Sequence, residues 1–148
     1  MFLIARPGVA QTLAGTDQAD YLLGWSGATL DGGAGNDILI ATEPGLVLNG
    51  GAGDDTLLLG GPAVVTAGRG EGTDHVFGFG AGSTFIFKGP ISPREMTFTP
   101  EGADLVMHAG GFAGQGVDAT TVVFHDAAQF HMVPAIAPEG QFAFNLIA

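Results

Sequence analysis

The chain has 148 residues, with 15 Asp and Glu against 4 Lys and Arg, for a formal net charge of −11. A surface of that sign repels phosphate backbones and anionic headgroups, so nucleic acid and membrane insertion are excluded as expectations and multivalent cations are favoured. Cysteine is absent, which removes disulfides, thiolate metal sites and cysteine nucleophiles.

Glycine accounts for 26 residues, yet hydrophobic residues make up 46% and the mean hydropathy is +0.35. A chain this apolar folds rather than staying disordered. Its glycines are therefore geometric, placed where the backbone needs positive φ or close approach.

In chain order, "MFLIARPGVAQTL" opens with a short apolar run and no basic residue before it. It lacks the pattern of a secretory signal, and reads as a cap or as a tail that pairs with another subunit. No apolar run approaches the ~20 residues of a membrane helix. Up to about residue 80 the text is short apolar triplets separated by Gly, Asp, Asn, Ser and Thr. Within it, Gly32–Ile40 reads "GGAGNDILI" and Gly50–Leu58 reads "GGAGDDTLL". Partial copies flank them: "GTDQADYLL" at Gly15–Leu23 and "GEGTDHVF" at Gly70–Phe77. Asp20, Asp37, Asp55 and Asp74 stand in register, 17, 18 and 19 residues apart. Each is followed two residues later by an apolar residue: Leu22, Leu39, Leu57, Val76.

Beyond residue 82 glycine thins out, and "TFIFK", "MTFT", "DLVMH", "TTVVF" and "QFAFNLI" read as strands punctuated by Pro90, Pro93 and Pro100. Only "PREM" and "HDAAQFHM" suggest a turn or two of helix. The chain is expected to be all-β.

The two complete copies match G-G-x-G-x-D-x-U-x, where U is a large apolar residue, and the sequence resembles the repeats-in-toxin (RTX, haemolysin-type) family. The resemblance implies a right-handed parallel β-roll, or β-solenoid. Each unit there has a six-residue turn and a three-residue strand, and two units make one lap. Residues 1–82 would form the roll with its N-terminal cap or tail. Residues 83–148 would form a β-rich capping lobe carrying a secretion signal. A weaker echo of the segment that follows such repeats supports this lobe, in Gly89, Ile91, Ser92, Met96, Phe98, Gly102, Asp104, Leu105 and Val106. On this reading the four aspartates lie along one edge. "GWSGATL", "ATEPGLVLN" and "GGPAVVTA", with Leu30 and Leu48 as strand residues, line a metal-free edge that also carries Glu43.

The resemblance further implies Ca²⁺, two to three ions along the acidic edge, with the Asp37–Asp55 gap the foremost site. Calcium takes six to eight oxygens in loose geometry. The expected ligands are the carboxylates of Asp20, Asp37, Asp55 and Asp74, with the turn glycines Gly32, Gly33, Gly35, Gly50, Gly51, Gly53 and Gly72 turning carbonyls inward. Asp17 and Asp54 would supplement them. Without metal the stacked acids would repel one another.

Other chemistry is sparse. His75, His108, His125 and His131 show no three- or four-residue spacing, so edge or surface positions are expected rather than a transition-metal site. "GGFAGQG" lacks the Lys-Ser/Thr ending of a phosphate loop, and no G-x-S-x-G occurs. Trp25 and Tyr21 read as packing residues rather than sugar-stacking ones. No catalytic constellation emerges, so the protein is expected not to be an enzyme; a small hydrolase in the second lobe has no motif behind it.

The expected role is a non-catalytic extracellular calcium-binding protein, of matrix, surface-layer, adhesive or fibre-forming type, associating head to tail with itself. The chain begins with Met and ends "FAFNLIA", an apolar end of the kind expected of a secretion signal, so the module is expected to be the whole product without a further enzyme or pore-forming domain. The family resemblance implies type I secretion from a Gram-negative bacterium. The alternative is a secretion, folding or anionic-polysaccharide-binding module of a larger secreted enzyme or toxin.

Overall fold

The computed structural model describes residues 1–89, 95–110, 119–135 and 141–147, with the side chain of Ala135 left aside. The expectations placed on Pro90, Ile91, Ser92 and Pro93, on the glycine loop after Gly110, and on the final residue lie outside these. Fifteen strands run in order: β1 Phe2–Ile4, β2 Thr12–Ala14, β3 Tyr21–Gly24, β4 Thr29–Ala34, β5 Ile38–Ala41, β6 Val47–Ala52, β7 Thr56–Leu59, β8 Val64–Ala67, β9 Gly72–Phe77, β10 Thr84–Phe87, β11 Met96–Glu101, β12 Asp104–Ala109, β13 Thr120–Phe124, β14 His131–Ala135 and β15 Phe142–Ile147.

They form a two-sheet β-solenoid. Alternate strands go to alternate sheets, so β1, β3, β5, β7 and β9 stack in parallel in one, and β2, β4, β6, β8 and β10 in the other. Burial alternates along the strands, as in β8 and β10. Leu22, Leu39, Leu57 and Val76 form one interior column; Leu30, Leu48, Val65 and Phe85 form the facing one, all at most 1% exposed. Each such side chain contributes about 1.5–3 kcal/mol of hydrophobic stabilisation. The column follows from the repeat, since two residues after each aspartate the strand turns a side chain inward.

The register shows where the uneven spacing arises. Ala14, Asp31 and Asn49 pair in series, as do Tyr21, Ile38 and Thr56, so the first three acidic turns have equal length. The eighteenth residue of the second lap lies on the other edge, between Ala41 and Val47. The fourth acidic turn differs: Asn49 pairs with Thr66 but Thr56 with His75, so this turn is two residues longer.

The strands add detail to the expectations. The N-terminal segment, expected as a cap on the first lap or a tail that pairs with another subunit, supplies the first strand of the roll, with Phe2–Ile4 paired to Tyr21–Leu23. Parallel stacking continues past residue 82, with β10 on β8. "HDAAQFHM" contains no helix; His131 opens β14, which pairs with β15. Pro100 lies inside β11 rather than before the strands, tolerated because β11 ends its sheet.

The last strands close the roll on both sheets. β13 adds in parallel to β9, followed by antiparallel β12 and β11, while antiparallel β15 and β14 cover β10. Phe79, Phe85, Phe98, Phe124 and Phe144 interlock across this join through tilted and edge-on ring contacts. One hydrophobic core therefore spans both halves.

Candidate metal centre

Each acidic turn leads from the second sheet into the first, and its aspartate stands just before the buried strand leucine or valine. Asp20, Asp37, Asp55 and Asp74 are all buried, at 4%, 1%, 0% and 2% exposure. They are also joined directly. The Asp20 amide donates to Asp37 Oδ1 at 2.7 Å, the Asp37 amide to Asp55 Oδ1 at 2.7 Å, and the Asp55 amide to Asp74 Oδ1 at 3.3 Å. At the first lap the Met1 amine contacts Asp20 Oδ1.

The second oxygens behave differently. Asp20 Oδ2 accepts from the Thr16 amide at 2.5 Å and the Thr16 hydroxyl at 2.8 Å. Asp37 Oδ2 and Asp55 Oδ2 are buried and accept nothing among the described residues. A buried carboxylate oxygen without a donor is costly, so these two atoms call for a partner. Glycine makes room beside them. A methyl group on Gly32 would come within 3.0 Å of both Asp37 Oδ2 and the Gly50 carbonyl oxygen, and one on Gly50 would strike Asp55 Oδ2. One lap earlier, Gly15 faces Asp20 Oδ2 and the Gly32 carbonyl in the same way.

Burial and charge act together on the titration. Burial first, then the neighbouring carboxylates, pushes Asp37 up from its ordinary value. The same causes take Asp55 to about 6 and Asp74 to about 8. Asp20 is lowered, chiefly by the amine beside it. Burial and mutual repulsion thus disfavour charge on Asp37, Asp55 and Asp74, whereas Asp20 has the Met1 amine beside it.

The donor set is entirely oxygen, one carboxylate per lap with backbone carbonyls, which suits a hard cation such as Ca²⁺ rather than a thiophilic or imidazole-seeking metal. No group of three or more His, Cys, Asp or Glu side chains converges among the described residues. The expected glycines sit in these turns. Gly33 and Gly51 take φ of 98° and 100°, and a side chain on Gly51 would collide with the Gly33 carbonyl, so the laps approach there as only glycine allows. Gly35, Gly53 and Gly72 likewise lie against the backbone of the lap before.

Not every expected ligand is alike. Asp54 is exposed, and its Oδ1 accepts the Thr73 amide at 2.9 Å, while its own amide donates to Asn36 Oδ1 at 3.1 Å. Asp17 is exposed in the first turn, away from the buried column. The longer fourth turn is braced by protein groups. Glu71 accepts the Gly68 amide at 2.5 Å and lies 3.6 Å from the Lys88 ammonium, and Thr120 Oγ1 donates to the Gly68 carbonyl at 2.5 Å. Glu43 lies on the opposite edge, where it accepts the Ser26 amide at 3.2 Å. Trp25 packs against the core and Tyr21 lies 5.1 Å from the Phe2 ring.

Sequence reasoning missed the pairing of His75 with His125, whose ring nitrogens lie 2.9 Å apart. Asp104 Oδ2 sits 3.2 Å from His125 Nδ1, and Phe77 stacks on the His125 ring at 4.1 Å. The cluster ties β9 to the closing strands. Only the sheet pairing brings these residues together, so no local pattern announces them.

No protein-family profile matches the chain, and no curated protein is significantly similar to it. Among solved structures, the AlgE6R3 subunit of the Azotobacter vinelandii mannuronan C5-epimerase, known as a solution structure, is similar at 17% identity and a TM-score of 0.39, over 83% of this chain and 71% of that one.

Proposed function

We propose that the protein is a calcium-dependent β-roll whose acidic edge binds Ca²⁺ between successive laps and whose folding is completed by the ion outside the cell. The observation that carries this reading is the pair of buried, donorless oxygens, Asp37 Oδ2 and Asp55 Oδ2, each lying where a side chain on Gly32 or Gly50 would otherwise stand, with the Gly50 carbonyl beside the first. The intervals between the first three turns, equal in length, are the two sites favoured. The third interval is braced by Glu71, Lys88 and Thr120 and is the weakest candidate. Bound calcium would supply the positive charge that lets the column ionise and would cross-link neighbouring laps.

Asp37 and Asp55 are the principal ligands in this reading, with Asp20 and the carbonyls of Gly32 and Gly50 beside them. Because an unfolded chain holds no such site, binding free energy becomes folding free energy. Calcium at the millimolar level of extracellular fluids suits sites of modest affinity. The role is structural rather than catalytic: a secreted matrix, surface or adhesive protein that associates with itself, exported by the type I route that the repeat resemblance implies.

Calorimetric titration with calcium tests this, alongside circular dichroism in chelator. The expected result is two ions bound, with β content and thermal stability rising on addition. No heat of binding, or identical melting in chelator and in calcium, rejects the reading. Glu43→Ala on the opposite edge should leave the titration unchanged.

A further inference from the structure

Apolar exposure is concentrated at one end of this protein. Of the large apolar side chains most open to solvent among the described residues, Met1, Phe2, Ile4 and Val9 belong to the first lap and Tyr21 of the next lies against Phe2, while Ile38, Phe77 and Ile147 lie elsewhere. That lap also contributes β1 and β2, which end their sheets with one side unpaired among the described residues. Neither strand contains a proline or a charged side chain, the devices that protect edges left to water. The other two terminal strands are built differently. β11 and β14 each pair antiparallel with their neighbour, and they carry Pro100 and Pro134. Proline cannot donate to a further strand, so these edges are poor templates.

Charge sorts in the same direction. Residues 1–16 contain Arg6 and no acid, and all 15 Asp and Glu lie beyond them. Two copies meeting elsewhere on a chain of net charge −11 oppose carboxylates to carboxylates. At the first lap the strand edges themselves bring none.

We propose that the first lap is a self-association surface, where a second copy of the chain docks end to end through β1 and β2. The protected edges at the far end disfavour the head-to-tail filament expected from the sequence. An isologous contact between two first laps closes into a two-fold dimer instead. Two three-residue edges and their exposed side chains make an interface smaller than the ~800 Å² per partner of a standard complex, so the dissociation constant falls in the micromolar range or weaker. This rests on the self-association part of the reading above and is independent of calcium binding.

Sedimentation equilibrium of the full chain in calcium, over a hundredfold range of concentration, tests the proposal. A monomer–dimer equilibrium is expected. The double variant Phe2→Glu with Ile4→Glu should weaken it at least tenfold, while Thr97→Glu on β11 should leave it unchanged. Should the double variant not fold, Val9→Cys in this cysteine-free chain serves instead: oxidation should cross-link it into dimers faster than it does Thr97→Cys. Monomers at every concentration overturn the proposal and the self-association reading together, with the calcium titration left standing. Association insensitive to Phe2 and Ile4, or growth beyond dimers, overturns the end-to-end surface alone.

Discussion

At Asp55 the two carboxylate oxygens live in different surroundings. Oδ1 accepts the Asp37 amide, so it belongs to the fold; Oδ2 is buried without a donor among the described residues and is the oxygen that the proposed ion would take. Asp55→Asn separates these duties, since an amide oxygen can still accept from Asp37 while the negative charge is gone. Calcium affinity should fall at least tenfold by calorimetry, and the metal-free protein at pH 8 should melt at or above the wild-type temperature. Asp55→Ala loses both oxygens and should lower both properties.

The titration of the same column makes a second prediction. Burial and the neighbouring carboxylates push Asp55 and Asp74 up to about 6 and about 8 in the folded chain, from an ordinary value of 3.8. The folded state therefore binds more protons than the unfolded one across that interval. Their stabilising effect is full below about pH 4 and is lost as pH rises through the folded values. In chelator, the melting temperature should fall from pH 4.5 to pH 8. With saturating calcium, which competes with protons for the same oxygens, the decline should flatten or reverse. Equal slopes with and without calcium would argue that the ion binds elsewhere.

At the scale of elements, the turns hold the laps at their spacing. Gly51 has positive φ and no space for a side chain against Gly33, whereas Gly45 has positive φ with only the Ser26 hydroxyl 3.9 Å away. Gly51→Ala should cost more than about 2 kcal/mol, combining the left-handed conformation with backbone collision. Gly45→Ala should cost about 1 kcal/mol. Chemical denaturation of the two variants measures the difference, and equal losses would mean that the lap-to-lap contact contributes nothing. Much of this level was legible beforehand. The aspartate, the glycines and the strand leucine recur within nine residues, so a local pattern carries them. Strand β14 and the place of Pro100 were not, because edge position and antiparallel closure depend on partners far along the chain.

Considered as a whole, the molecule has one core that runs through the roll and its closing strands. Ending the chain after residue 89 would uncover the β9 edge that β13 occupies and the β10 edge that β15 occupies, along with Phe85 and Phe87. Such a truncated protein should aggregate on refolding in calcium, as light scattering would show, while the full chain unfolds in a single transition. A soluble, monomeric truncated roll would show that the closing strands are dispensable.

The repeat by itself determined the recurring aspartate, turn glycines and inward leucine, because these lie within nine residues and follow a strand period of two; the lap and the acidic edge came from the repeat together with the family that it resembles. Tertiary structure alone decided that the aspartates hydrogen-bond in series, that the fourth turn is longer and self-braced, and that His75 meets His125 across 50 residues. Those outcomes depend on which laps lie against each other and on how the last strands return. Stacking converts distant residues into neighbours, and no local spacing encodes which atoms then meet.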